Sequence, residues 1–180
     1  VANKNIKLVL MAGPSSSGKT TSAHKLSLYL KYNGINSIII SADDYFKEKE
    51  EYIKDVNGEI DFESPDNLDI SLLNRQLNSL LSGEEVSMPK FNFFTGTKEY
   101  KGKLAKLNEK DIVILEGIHC LNNIMTSYID NTLKYKIYVS PFMPLRIDKH
   151  NHISTVDLRL IRRIVRDSVF RGYPVDETIA

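Results

Sequence analysis

Gly13-Pro14-Ser15-Ser16-Ser17-Gly18-Lys19-Thr20 is the stretch on which the reading of this chain turns. It matches G-x-x-x-x-G-K-[ST] at every position. The glycines let the backbone turn its N–H groups inward around a phosphate. A helix beginning near Lys19 aims the positive end of its dipole at the same point. Lys19 then reaches the outer phosphates as a point charge, and Thr20 offers its hydroxyl to Mg²⁺. Gly13, Ser15, Ser16, Ser17, Gly18 and Thr21 complete the cradle. The alternative is a chance glycine turn, and the flanking sequence argues against it. ATP with Mg²⁺ is the expected ligand.

Working outward, Ile6 to Gly13 is a short apolar run with β-branched residues, closed by glycine. It reads as a buried parallel strand. Lys19 to Asn33 reads as a helix with Ala23, Leu26 and Leu30 at helical spacing and Gly34 as its stop. Ser37 to Ala42 is a second buried strand, Asp111 to Gly117 a third and Tyr135 to Ser140 a fourth. Between them, Lys47 to Gly58 is a charged loop. Ser64-Pro65-Asp66 opens a helix with the stripe Ile70, Leu73, Leu77, Leu80 and Leu81, ended by Gly83. Val86 to Leu104 reads as a hairpin-like excursion, and Leu158 to Val169 as a final helix. Buried strands alternating with helices predict an α/β layer architecture with a mostly parallel sheet.

The composition narrows the partners. The 180 residues suit one domain spanning 1–180, although the first and last residues suggest a piece of a longer chain. Lys and Arg number 24 against 23 Asp and Glu, a net charge of +1. That balance gives no global attraction to nucleic acid or to an anionic membrane, so any anion site must be local. No apolar run reaches the roughly 18 residues of a membrane span. The single cysteine, Cys120, rules out an intrachain disulfide framework. A cytoplasmic location is expected, with a small-molecule substrate; self-association is left open.

In open α/β sheets ligands gather outside the carboxyl ends of the strands. Asp43 and Asp44 follow the second strand there, and Glu116 closes the third. Glu116 is placed to hold Mg²⁺ directly or through water; the alternative is a helix cap. Asp43 is the candidate general base, which would orient an acceptor hydroxyl and take its proton. The alternative for the Asp43-Asp44 pair is a plain turn. In the last helix Arg159, Arg162, Arg163 and Arg166 cover one stripe roughly 100° wide. No glutamate stands at i,i+4 to pair them. Unpaired guanidinium groups suit phosphate oxygens and the charge that develops during phosphoryl transfer, so the stripe reads as a lid or wall over ATP. A solvated charge face is the alternative.

Taken together, GPSSSGKTTSA, SADDYF (Ser41 to Phe46), GEIDFESPDNLD (Gly58 to Asp69), MPKFNF (Met88 to Phe93), DIVILEGI (Asp111 to Ile118) and RLIRRIVRDSVFRG (Arg159 to Gly172) resemble the uridine kinase family, which is related to phosphoribulokinase. The resemblance implies a P-loop NTPase fold with a five-stranded, mostly parallel sheet and an arginine-bearing lid helix. It implies transfer of the ATP γ-phosphate to a hydroxyl of uridine or cytidine. It places the base on Asp43, sugar recognition on Glu63 beside Phe62, and the metal-side acid on Glu116. Asp43, Phe46, Phe62, Glu63, Phe91 and Lys98 form the implied substrate set. Lys19, Arg163 and Arg166 join Asp43 in the catalytic set, and Arg162 joins the nucleotide site. The family's tyrosine becomes Phe91, its histidine position falls on Gly96, and Lys98 stands near its arginine position. Similar modules end longer bacterial proteins whose upstream part resembles threonyl-tRNA synthetase domains, a context this chain would fit. The alternative function is an ATP-binding regulatory module with weakened or lost activity. A GTPase switch ranks low, since no N-K-x-D signature follows a strand.

His150 and His152 read as part of a polar loop, not a metal site. His119 reads as site wall or buried residue. Phe91, Phe93, Phe94 and Tyr100 read equally as hairpin core or acceptor-site wall.

Overall fold

The computed structural model describes residues 5–53, 63–102, 104–141, 148–149, 153–171 and 174–179. Strand β1, Leu8–Ala12, is buried along its whole length, as an apolar run with neighbours on both sides must be. Helix α1, Lys19–Tyr32, follows the glycine loop directly. Ala23 and Leu30 are its buried residues, and the backbone N–H groups of Asn33 and Gly34 close it onto Leu30 and Lys31. Strand β2 is Ser37–Ser41, and a 3-10 turn, Ala42–Tyr45, leaves its carboxyl end.

Ser64-Pro65-Asp66 opens only a short 3-10 turn, Pro65–Asn67. Leu68 then pairs with Phe46 in an antiparallel bridge, so the chain is extended there and the helix must wait. Helix α2 runs Ile70–Leu81 and is capped by Asp69, whose carboxylate accepts the Leu72 N–H at 2.9 Å. Its stripe behaves as the periodicity predicts: Leu73, Leu77 and Leu80 are fully buried. Leu77→Ala should therefore lower unfolding free energy by about 2–5 kcal/mol in a denaturant titration.

The excursion after α2 is two nested antiparallel ribbons. Strands β3 (Val86–Ser87), β4 (Lys90–Asn92), β5 (Thr97–Glu99) and β6 (Leu104–Ala105) pair as β3 with β6 and β4 with β5. Strand β7, Ile112–Glu116, is wholly buried. Strand β8, Lys134–Tyr138, is not buried as the sequence suggests: among the described residues it has a sheet neighbour on one side only, and Tyr135 and Tyr138 are exposed. The central sheet is parallel, in the order β2-β7-β1-β8, with Met11 opposite Glu116. Four strands of this sheet lie among the described residues, against the five that the resemblance implies. One face packs Leu8, Leu10 and Leu115 against the buried leucines of α2; the other packs Val9, Met11 and Ile114 against Ala23 and Leu30 of α1.

Helix α3, Thr155–Arg166, starts three residues before Leu158 because the Ser154 side chain accepts the Asp157 N–H at 3.0 Å and supplies the cap. Beyond Arg166 the chain widens into a π-helical turn, Asp167–Arg171, and a short helix α4 occupies Val175–Ile179. No helix among the described residues is long and apolar enough to cross a membrane.

Candidate active site

Parallel strands end together, so β1, β2 and β7 deliver the glycine loop, the Asp43 turn and Glu116 to one edge of the sheet. A Cβ on Gly13 would stand 2.0 Å from the Val139 carbonyl oxygen and 2.8 Å from Ser17 Oγ, so that position has no room for a side chain. Ser16 takes a left-handed φ of 58°, a conformation costing on the order of 1–3 kcal/mol for a non-glycine residue. The hydroxyls of Ser16 and Ser17 are buried without a hydrogen-bond partner. Orphaned hydroxyls of this kind are unfavourable unless an acceptor meets them, and phosphate oxygens are suitable acceptors.

The Lys19 amine donates to the Pro14 carbonyl at 3.1 Å, folded back over its own loop. Burial lowers its pKa below the ordinary lysine value, against the opposing pull of Glu116 and Asp43. The Thr20 hydroxyl donates to Glu116 Oε1 at 3.0 Å. Burial raises the pKa of Glu116, and the neighbouring Asp43 charge adds to the rise, while the Thr20 hydrogen bond and Lys19 oppose it. Two oxygen donors beside a phosphate loop fit Mg²⁺, which takes few protein ligands and keeps water and phosphate oxygens as the rest. No cluster of three His, Cys, Asp or Glu side chains that could hold a metal occurs among the described residues.

The two adjacent aspartates have separate environments. Asp44 accepts the Phe91 N–H at 3.4 Å and forms an ion pair with Lys90 at 2.9 Å, fastening the β4 ribbon to the turn. Asp43 lies exposed on the cleft wall. Gly117 sets the spacing, because a Cβ there would stand 2.6 Å from the Ala42 Cβ and force the Asp43 turn away from β7.

Helix α3 stands against the loop through its arginines. Arg159 Nε donates to the Ser15 carbonyl at 3.3 Å, and Arg166 Nη1 to Ser15 Oγ at 3.4 Å. Arg162 reaches within 3.4 Å of the place a Gly18 Cβ would take. The arginine stripe has an acidic partner after all: Asp167 pairs with Arg163 at 3.6 Å and with Arg166 at 2.8 Å. No residue of α3 is buried, and Val156, Ile161 and Val165 are exposed.

A cleft of about 600 Å³ joins these parts. It is lined by Ser15, Ser16, Gly18, Lys19, Thr20 and Thr21 of the phosphate loop and by Arg162, Arg163 and Arg166. Asp43 and Glu116 line it too, Glu116 joined to the loop through Thr20. Phe46, Glu63, Phe93 and Ile118 complete the lining. Phe91 is not part of this wall: it is 4% exposed in the core, with the rings of Phe46 and Phe93 at 5.7 Å and 5.0 Å from its own. The exposed Phe93 takes the lining position. Ile118 was not among the residues expected from the sequence; it lies in the turn two residues beyond Glu116, at the carboxyl end of β7, where strand-end position alone could have signalled it. His119 contacts the Glu63 carbonyl oxygen and so abuts the same wall. Phe62, His150 and His152 lie outside the described residues.

Lys98 is likewise set away from the cleft lining. Its amine donates to Asp69 at 3.0 Å, at the head of α2. Burial alone would raise the Asp69 pKa, but the Leu72 N–H and Lys98 outweigh it and the net shift is downward. A depressed folded-state pKa stabilises above the ordinary carboxylate value, and that contribution disappears as pH falls through the folded value. Asp69→Asn should therefore shallow the acid limb of a stability profile below about pH 4; acid titrations of both proteins by circular dichroism would check this.

A profile described as the Phosphoribulokinase / Uridine kinase family matches residues 8–180. A uridine kinase of Lactobacillus helveticus is 32% identical over 176 residues, spanning 96% of this chain and 72% of the relative. A uridine kinase of Staphylococcus aureus is 28% identical over 176 residues, covering 98% and 75%. A solved structure described as a possible uridine kinase from Bacillus stearothermophilus superposes with a TM-score of 0.57 at 22% identity, over 74% of this chain and 70% of that one. The synthetase-like upstream context expected from the sequence is not borne out by these relatives.

Proposed function

Because this chain belongs to the phosphoribulokinase and uridine kinase family, and is a P-loop kinase, we propose that it transfers the γ-phosphate of ATP to a hydroxyl of a nucleoside-like acceptor, with uridine and cytidine as the first candidates. The observation that carries this reading is the mixed lining of one cleft. Cations and the orphaned Ser16 hydroxyl of the phosphate loop share it with the carboxylates of Asp43 and Glu63 and with apolar Phe46, Phe93 and Ile118.

In this reading the loop amides and Lys19 hold the β- and γ-phosphates. Thr20 and Glu116 would hold Mg²⁺, which supplies charge neutralisation on the phosphate oxygens. Asp43 orients the acceptor hydroxyl and takes its proton. Glu63 accepts hydrogen bonds from the sugar, while Phe46, Phe93 and Ile118 give the acceptor's apolar faces a surface. Arg162, Arg163 and Arg166 offset the charge that spreads over the transferring group. Phe91 lacks a hydroxyl and Lys98 is committed to Asp69, so neither supplies a hydrogen bond to a base here. Discrimination among bases should accordingly be weak, since it is unpaired polar groups that reject a wrong partner.

The test is ADP release from ATP and Mg²⁺ across a panel of nucleosides and small sugars. Release stimulated by uridine or cytidine supports the proposal in full. Stimulation by another acceptor alone keeps the kinase and discards the pyrimidine. ATP binding with no stimulation by any acceptor refutes the transfer reaction and favours a regulatory nucleotide module.

A further inference from the structure

We infer that Asp167 is a positioning residue for the nucleotide site, acting through the Arg163 and Arg166 guanidinium groups. The inference rests on the nucleotide site of the reading above and not on its acceptor. Asp167 is 5% exposed, although it follows a helix with no buried residue. A carboxylate leaves water at this cost only where cations and hydrogen bonds compensate it. Here the compensation is directional. Oδ1 accepts from Arg166 Nε at 2.8 Å, and Oδ2 lies 3.6 Å from Arg163 Nε.

Both pairings use the Nε atom, the one nearest the chain. A guanidinium has five N–H donors in a fixed plane, so fixing Nε sets the direction of the terminal nitrogens. For Arg166 that direction is visible: Nη1 meets Ser15 Oγ in the phosphate loop at 3.4 Å. Arg163 and Arg166 both line the cleft. One carboxylate thus orients two forks from behind. It sits where the α-helix gives way to the π-helical turn, and that widening lies at the residue that must face back toward the arginines.

The sign of the effect separates this from simple electrostatics. Asp167 places a negative charge near a site for phosphates. Were charge alone at issue, Asp167→Asn would tighten ATP. If the carboxylate orients the arginines, the same change weakens ATP despite removing repulsion, as losses of orienting partners usually cost 10- to 100-fold.

The experiment is a double-mutant cycle on the whole chain, read as the dissociation constant of ATP with Mg²⁺ by calorimetry. Its members are Asp167→Asn, Arg166→Lys and the pair, each with a melting curve. Lysine keeps the charge but lacks the fork. The expected result is about a tenfold weakening by either single change and a double variant clearly better than the product of the two losses, its excess over Arg166→Lys being the share carried by Arg163. Losses that multiply, or tighter binding by Asp167→Asn, overturn the inference. Should Asp167→Asn fail to fold, Asp167→Glu, which keeps the charge but shifts the carboxylate, decides it: a weakening of ATP binding that shrinks when Arg166 is replaced by Lys supports the inference, and no weakening, or one of the same size on both backgrounds, overturns it. The readout is binding, so an acceptor panel that yields no turnover would sink the transfer reaction and leave this inference standing or falling on its own data.

Discussion

Asp43→Asn is expected to reduce acceptor-stimulated turnover by about 10²- to 10⁴-fold while leaving the ATP dissociation constant within about threefold of wild type. Asparagine has nearly the same shape, so the turn Ala42–Tyr45 and its packing against Gly117 should survive. What it lacks is the ability to take a proton. Steady-state kinetics with the best acceptor, beside calorimetric ATP titration, would measure both quantities. A parallel loss of ATP binding would reassign Asp43 from proton transfer to the phosphate end, where its charge already influences Lys19 and Glu116. The contrast with Asp44 is part of the expectation. That neighbour is bound to Lys90 and to the Phe91 N–H, so its replacement should be felt in the melting temperature.

Lys19→Ala should cost at least about 10²- to 10³-fold in kcat/KM, the usual loss when one preorganised cationic or hydrogen-bond donor is removed. It should also abolish the upward shift of melting temperature that ATP produces, since that shift measures binding to the folded state. The melting temperature without nucleotide should not fall. The amine is partly desolvated, which lowers its pKa and makes the charged form a burden to the free protein, and its only hydrogen-bond partner among the described residues is the Pro14 carbonyl. A variant that is unharmed when empty and deaf to nucleotide would show a residue placed for its ligand.

The strands and the phosphate loop were legible because local pattern determines them. For β1 and β7, apolar runs ended by glycine leave little choice, and the ends of the four sheet strands fall within two residues of those read off the sequence; the burial expected of β8 was wrong, because Lys134 and Lys136 mark a strand with one open side. The leucine stripe of α2 was legible for the same reason, but its start was not: a long-range bridge between Phe46 and Leu68 holds the chain extended past Pro65. The acceptor wall was the least legible part. Phe91 and Phe93 are chemically alike and two residues apart, and only the ring packing with Phe46 shows that one fills the core and the other faces the cleft. Lys98 was read by its place in a motif, whereas its partner Asp69 lies 29 residues away in sequence. The Asp167 pairing was within reach of sequence reasoning. An aspartate at i+4 from Arg163 is a standard helix pair, as much as a glutamate would be.

The register of the sheet has a consequence for the order of events in synthesis. Leu8 pairs with Val113 on one side and Lys134 on the other, and the Ala12 carbonyl, at the mouth of the glycine loop, is held by the Val139 N–H at 2.7 Å. The glycine loop precedes both strands that flank β1, and Leu8 meets its partners Val113 and Lys134 only after more than a hundred further residues have followed. Parallel pairings at such separation form slowly, because the intervening chain must be closed into a loop first. Until then the apolar β1 and the serine- and glycine-rich loop behind it lack the neighbours that hold their shape, and nucleotide has no ordered loop to bind until β7 and β8 arrive. Mutations in those late strands should act on the yield of folded protein before they act on its chemistry.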